Sequence, residues 1–177
     1  MSKGGIWSKW VKKIHKNPKF DKKMRGGEMM LFFVGEYARQ LDDRGRFILP
    51  AKIREKLSST VYITKAPLEK CLNLYTSEEW ESISEKMAAL PSSIDTNVSK
   101  FTRKFFSRAL TCELDKQGRI PLTPALLEAA GLKKDIVLVG ANSRLEIWDA
   151  KEWEMMNADD DDTAIIVDGI KKYNLSI

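Results

Sequence analysis

The sequence predicts an α/β domain made of two pseudo-two-fold-related half-domains, each following the program ββαββα. Three observations predict it. Leu41 to Pro50 reads LDDRGRFILP and Glu113 to Pro124 reads ELDKQGRIPLTP, so that Asp115 falls 73 positions after Asp42 and Arg119 falls 73 after Arg46. The same interval separates Trp80 from Trp153, which lays LNLYTSEEW over LEIWDAKEW in an undrifting register. A unit of this length that occurs twice points to two halves packed about a local axis, not to a long solenoid.

Each element follows from local pattern. Phe32 to Leu41 reads as a strand leading into the turn Asp43-Arg44-Gly45, where glycine suits the left-handed backbone of a short hairpin connection. Phe47 to Leu49 continues as the second strand, and Pro50 opens a helix from Ala51 to Leu57. Val61 to Thr64 and Leu72 to Tyr75 are strands, with Ala66-Pro67 as the break between them. Ser77 is expected to cap a helix from Glu78 to about Leu90, with Glu78, Glu79 and Glu81 at its positive end and Trp80, Ile83 and Met87 facing inward. Pro91-Ser92-Ser93 separates the halves.

A helix from Thr96 to Ser107 follows, with Val98, Phe101 and Phe105 as its apolar stripe. Its Lys100, Arg103, Lys104 and Arg108 are expected to meet the acidic Glu78 to Glu85 helix or another subunit. The program then restarts with the strand Ala109 to Leu114, the second turn, and a helix from Pro124 to Ala130 closed by Gly131. Strands Ile136 to Val139 and Leu145 to Trp148 and a segment bearing Trp153 complete it. Beyond them the acidic run Asp159 to Asp162 reads as a solvated linker, and Ile165 to Val167 as a docked strand. The divisions are a basic extension over 1–28, a first half over 29–91, a second over 92–156 and an acidic tail over 157–177.

Composition narrows the function. A chain of 177 residues, 43% hydrophobic and 31% charged, has ordinary soluble composition and length enough for a proper core. No run reaches the length of a membrane-spanning helix and no apolar signal core opens the chain, so the cytoplasm is the expected compartment. Cys71 and Cys112 lack CxxC spacing and are expected as reduced core thiols. His15, the only histidine, lies outside the repeated halves, which removes histidine bases, Ser-His-Asp triads and most zinc sites from the core. No phosphate loop, nucleophile elbow or metal-ligand cluster is present, so neither an enzyme nor a cofactor is expected.

Charge is unevenly spread. Residues 1–28 carry nine Lys and Arg against Asp21 and Glu28, a local balance of +7 in a chain whose net charge is +5. The remainder is therefore slightly acidic, and the basic character belongs to the extension. There Ile6, Trp7, Trp10, Val11 and Ile14 recur at helical spacing beside Lys9, Lys12, Lys13 and Lys16, a pattern suited to an acidic membrane surface or to DNA phosphates, and equally to a mobile extension.

The stretches FVGEYARQLDDRGRFILPAKIRE, CLNLYTSEEW, FFSRALTCELDKQGRIPL, EAAGL and LEIWDAKEW, in that order, resemble the MraZ family, bacterial relatives of the AbrB-type swapped-hairpin regulators. The likeness covers Phe33 to about Met156. It implies an AbrB-like swapped-hairpin, double-psi type of fold and a sequence-specific DNA-binding transcriptional regulator of the nucleoid. It further implies homo-oligomeric rings acting on the promoter of the division and cell-wall gene cluster that contains their own gene.

Arg46 and Arg119 are the residues most suited to that chemistry. A side chain placed just after a tight turn can project from a two-stranded ribbon into the major groove, where guanidinium gives two parallel hydrogen bonds to guanine O6 and N7. Alternatively each arginine pairs with Asp42 or Asp115 within its own fold. Spacing leaves the two readings level, and the resemblance favours the first. Asp42 and Asp115 read as turn-structuring acceptors, together with Gly45 and Gly118. Arg39, Arg44, Lys52, Arg54 and Lys116 are candidate phosphate contacts, though each alone is more often a solvated charge. Gln117 stands where the first turn has Arg44, and Lys116 where it has Asp43, so the two turns are not chemically equal.

With a net-acidic core and two short reading tips, affinity is expected from several linked protomers on short, G-rich direct repeats of double-stranded DNA. The alternative is a ring-forming scaffold or membrane-associated assembly that binds DNA nonspecifically through its basic extension.

Overall fold

The computed structural model describes residues 22–25, 28–55, 57–91, 94–158 and 162–174. The amphipathic stretch Ile6 to Ile14 and most of the acidic run after Asn157 lie outside them. Ten strands are described: β1 Lys22–Arg25, β2 Glu28–Leu31, β3 Glu36–Gln40, β4 Arg46–Ile48, β5 Thr60–Lys65, β6 Leu72–Thr76, β7 Leu110–Glu113, β8 Arg119–Pro121, β9 Asp135–Ala141 and β10 Arg144–Asp149. The helices are α1 Ala51–Arg54, α2 Ser77–Ala88, α3 Thr96–Ser107, α4 Pro124–Ala130, α5 Ala150–Ala158 and α6 Asp162–Tyr173.

All described strand pairs are antiparallel, so the fold is mixed α/β with an antiparallel sheet. Six strands form one sheet in the order β3-β9-β10-β6-β5-β7, while β4 and β8 make a separate ribbon and β1 and β2 a hairpin. The 73-residue repeat equates β3 with β7, β4 with β8 and β6 with β10, and β5 is the counterpart of β9. Read from either edge, the large sheet therefore meets equivalent strands in the same order. Both central pairings join a residue to its own counterpart: Asn73 faces Glu146 between β6 and β10, and Phe47 faces Ile120 across the ribbon.

Side chains on one face of the sheet make the core. Val61, Ile63, Leu72, Leu74, Ile136, Leu138, Leu145 and Ile147 pack with Phe47, Leu49, Ile53, Ile120, Leu122 and Leu126 from the ribbon and from α1 and α4. On the other face Trp80 of α2 lies parallel to Tyr62 at 5.0 Å between ring centroids, stacks on Phe105 of α3 at 5.6 Å, and meets the edge of Phe106. Phe105 is buried and Phe101 is exposed, so the stripe expected on α3 turns only partly inward. Cys71 and Cys112 are free and buried, and burial pushes the Cys71 thiol up to about 12.

Several expectations are corrected. The strand expected over Phe32 to Leu41 is interrupted: Gly35 takes φ 89, Phe33 forms a lone bridge to Asn142, and β3 begins only at Glu36. Thr76, not Ser77, caps α2, its hydroxyl accepting from the Glu79 N–H. Helix α1 ends at Arg54, three residues short of Leu57. Ile165 to Val167 lie on the exposed helix α6 and form no strand, their spacing giving one turn of helix with the apolar groups in water.

The 73-residue register also drifts. Val61 pairs with Thr76 and Ile136 with Asp149, which places β9 75 positions after β5. Two residues gained before β9, beside the longer helix α4, are offset by two extra residues in the first half's β5–β6 connection. Both changes fall in connections, where insertions disturb no strand pairing.

Candidate nucleic-acid interface

The two copies of LDxxGR fold into matching turns. In the first, the Gly45 N–H donates to the Asp42 carbonyl (2.9 Å), while one carboxylate oxygen of Asp42 accepts from the N–H groups of Arg44 and Arg46, both at 2.9 Å. In the second, the Gly118 N–H donates to the Asp115 carbonyl (2.9 Å), and Asp115 accepts from Gln117 and Arg119 at 2.8 and 3.0 Å. Gly45 and Gly118 take φ 69 and 68, the left-handed region in which a side chain is strained. An aspartate two residues before the reversal satisfies donors that the turn leaves free, and it does so in both copies.

The arginines differ. Nε and Nη2 of Arg46 both donate to Asp42 Oδ2, at 2.8 and 2.7 Å. Arg119 reaches Asp115 with Nη1 alone, at 3.6 Å. The hydrogen-bonded Arg46 guanidinium, with the backbone N–H groups of Arg46 and Arg44, holds the Asp42 carboxyl at about 2, and Arg46 is itself raised. Asp115 is lowered chiefly by the backbone N–H of Arg119. Both alternatives read from the sequence thus have a physical counterpart: the arginines pair with their own aspartates, yet the Arg46 and Arg119 side chains stay 36% and 44% exposed, unsealed from solvent.

Ribbon pairing brings the two turns together. Arg46 faces Pro121 and Ile48 faces Arg119, so alternation puts Arg46, Ile48, Arg119 and Pro121 on the outward face, with Phe47 and Ile120 buried beneath. An open depression of about 350 Å³ lies there, lined by Arg39, Gln40, Asp42, Arg46, Phe47, Ile48 and Arg119. Arg46 and Arg119 belong to one surface although 73 positions separate them.

The other basic candidates divide in two. Arg44, Lys52 and Lys116 are exposed around the turns and the start of α1. Arg39 and Arg54 are engaged: Arg39 donates to the carbonyls of Ile48 (3.0 Å) and Ala38 (2.7 Å), and Arg54 donates through Nη1 to the Gln117 carbonyl (2.9 Å). Gln40, which the sequence did not single out, borders the same depression while its amide donates to Asp135 at 2.8 Å. Its position at the end of β3, two residues before Asp42, is the only signal that could have found it. Among the described residues no cluster of His, Cys, Asp or Glu is arranged to hold a metal, and no helix is long and apolar enough to cross a membrane.

Fold and depression together define a duplicated, antiparallel α/β protein that presents two arginines on one exposed ribbon. The family model described as "MraZ protein, putative antitoxin-like" matches residues 32–100 and 105–165. A protein of Acetivibrio thermocellus named transcriptional regulator MraZ is 42% identical over 132 residues, covering 75% of this chain and 91% of the relative. Another of that name, from Limosilactobacillus fermentum, is 43% identical over 121 residues, covering 68% and 83%. The chain belongs to the MraZ family.

Proposed function

We propose that this chain is a transcriptional regulator that binds double-stranded DNA in a sequence-specific way, reading guanines with Arg46 and Arg119. The observation that carries the reading is the shared outward face of the β4–β8 ribbon, where both guanidinium groups lie half-exposed beside one depression. A two-stranded ribbon fits the major groove. Arg46, held by Asp42 through Nε and Nη2, keeps its Nη1 edge for a base, and an acceptor behind an arginine orients the fork before DNA arrives. Arg44, Lys52 and Lys116 fit phosphate contacts around the ribbon, while Arg39 supports it by donating to the Ile48 carbonyl.

In this reading residues 29–91 and 92–156 are two swapped-hairpin halves about a local two-fold axis. The self-paired positions Asn73–Glu146 and Phe47–Ile120 support that axis. The extension 1–28 and the tail 157–177 lie outside it. One protomer offers only two short tips, so affinity comes from a homo-oligomeric ring engaging short G-rich direct repeats. The sites belong to the promoter of the division and cell-wall cluster that includes the protein's own gene, which it represses, acting in the cytoplasm on the nucleoid and without a catalytic step.

A footprint on DNA upstream of its own gene tests this, followed by a gel shift on the protected duplex. Direct repeats should be protected, and Arg46→Ala should abolish the shift while leaving assembly intact. Unchanged affinity of that variant would remove Arg46 from the site.

A further inference from the structure

We infer that Arg54 is a positioning residue for the second turn: from helix α1 of the first repeat it sets the conformation from which Arg119 meets DNA, and it makes no phosphate contact. This rests on the DNA-reading role proposed above for Arg119.

The second turn is gripped by the segment that leads out of the first. Gly118 gives its carbonyl to the Leu49 N–H at 2.9 Å, and the neighbouring Gln117 carbonyl accepts from Arg54 Nη1 at 2.9 Å. The Arg54 stem lies so close over Gly118 that an added Cβ would stand 2.6 Å from its Cδ. Guanidinium and stem are thus both committed to the turn, one by hydrogen bond and the other by contact. A charge aimed at a backbone carbonyl is poorly placed to reach a phosphate.

The first turn shows what the arginine adds. There the Gly45 carbonyl accepts from the Leu122 N–H at 2.9 Å, and Leu127 Cδ1 closes over Gly45 at 3.0 Å from an added Cβ. Leu127 holds the place in the second repeat that Arg54 holds in the first, 73 positions earlier. A hydrocarbon supplies the packing without the hydrogen bond, and at that tip none is needed because Asp42 already grips Arg46 through two N–H groups. Arg119 has a single 3.6 Å contact with Asp115. The hold that its own aspartate lacks is supplied from the opposite half.

Binding of the footprinted upstream duplex, followed by fluorescence anisotropy across a salt series, tests the inference with Arg54→Ala alone and combined with Arg44→Ala or Arg119→Ala. Arg54→Met keeps the stem over Gly118 and replaces Arg54→Ala if that variant does not fold by circular dichroism. Loss of one such hydrogen bond should weaken binding about three- to tenfold, with the slope of log affinity against log salt unchanged. The loss should vanish in the Arg119→Ala background and persist beside Arg44→Ala, which removes only a phosphate contact at the first turn.

A slope smaller by about one unit would make Arg54 a phosphate contact and overturn the inference. So would a loss undiminished in the Arg119→Ala background, which would mark a general effect on the fold. Wild-type binding by Arg119→Ala alone would overturn the role of Arg119 itself, and Arg54's with it. That failure is read from one variant and is distinct from the other two.

Discussion

Phe47 faces Ile120 across the β4–β8 ribbon, each the other's counterpart in the repeat and both buried, while their neighbours Arg46 and Arg119 turn outward. The pair anchors the ribbon to the core and so fixes which way the arginines point. Phe47→Ala should cost roughly 3 to 5 kcal/mol, the usual range for removing a buried phenyl group, measured by urea unfolding. Ile48, half-exposed on the other face, should change stability by no more than about 0.5 kcal/mol when replaced by alanine. Equal losses at the two positions would contradict the inward and outward alternation.

Gly45 and Gly118 share a positive φ but differ in what a methyl group would meet. At Gly118 the obstacle is the Arg54 side chain, and at Gly45 it includes the Leu122 carbonyl, at 3.2 Å, as well as Leu127. Alanine at either position carries the left-handed penalty of about 1 to 2 kcal/mol, plus the clash. Arg54→Ala should therefore recover part of the stability lost in Gly118→Ala. Leu127→Ala should recover less for Gly45→Ala, because the Leu122 carbonyl at 3.2 Å stays in place. A double-mutant cycle by thermal unfolding reads the difference directly.

Much of this was legible in the sequence because it is local. Asp42 and Gly45, with Asp115 and Gly118, announce their turns through residues four or fewer apart, and Gly131 announces the end of α4 with φ 63. What stayed hidden depends on pairings between distant segments. That β3 joins β9 instead of a strand of its own half, or that Arg39 and Arg54 spend their guanidinium groups on the carbonyls of Ile48 and Gln117, depends on where packing brings those carbonyls. Two adjacent hydroxyls, Thr76 and Ser77, concealed which one caps α2. The apolar run Ile165 to Val167 looked like a strand because composition alone does not say that its side chains remain in water.

Acid should loosen the first turn. Asp42 ionises at about 2 in the folded chain against an ordinary 3.8, so it contributes stability that is fully present above the ordinary value and is lost as pH falls through that interval. Asp115 is shifted in the same direction. Asp42→Asn should be less stable than the parent at neutral pH, and the gap should close as pH approaches about 2. Because the Asp42–Arg46 pair is solvent-exposed, 1 M salt should narrow the gap at neutral pH as well. Urea midpoints across the pH series measure both effects, and a gap that widens toward low pH would reverse the sign argued here.

The basic extension and the ribbon should separate in their response to DNA sequence. Nine cations within residues 1–28 would neutralise phosphates whatever the bases. Arg46 and Arg119 lie on the β4–β8 ribbon, which the repeated LDxxGR segments build. Removing residues 1–28 should lower affinity for random duplex and flatten its salt dependence by several units. Affinity for the footprinted upstream duplex should fall less, so the ratio of specific to random binding should rise. Anisotropy titrations of both duplexes at two salt concentrations decide it. If discrimination disappears along with the extension, the protein is a polycation on a ring-forming scaffold, and Arg46 and Arg119 read nothing.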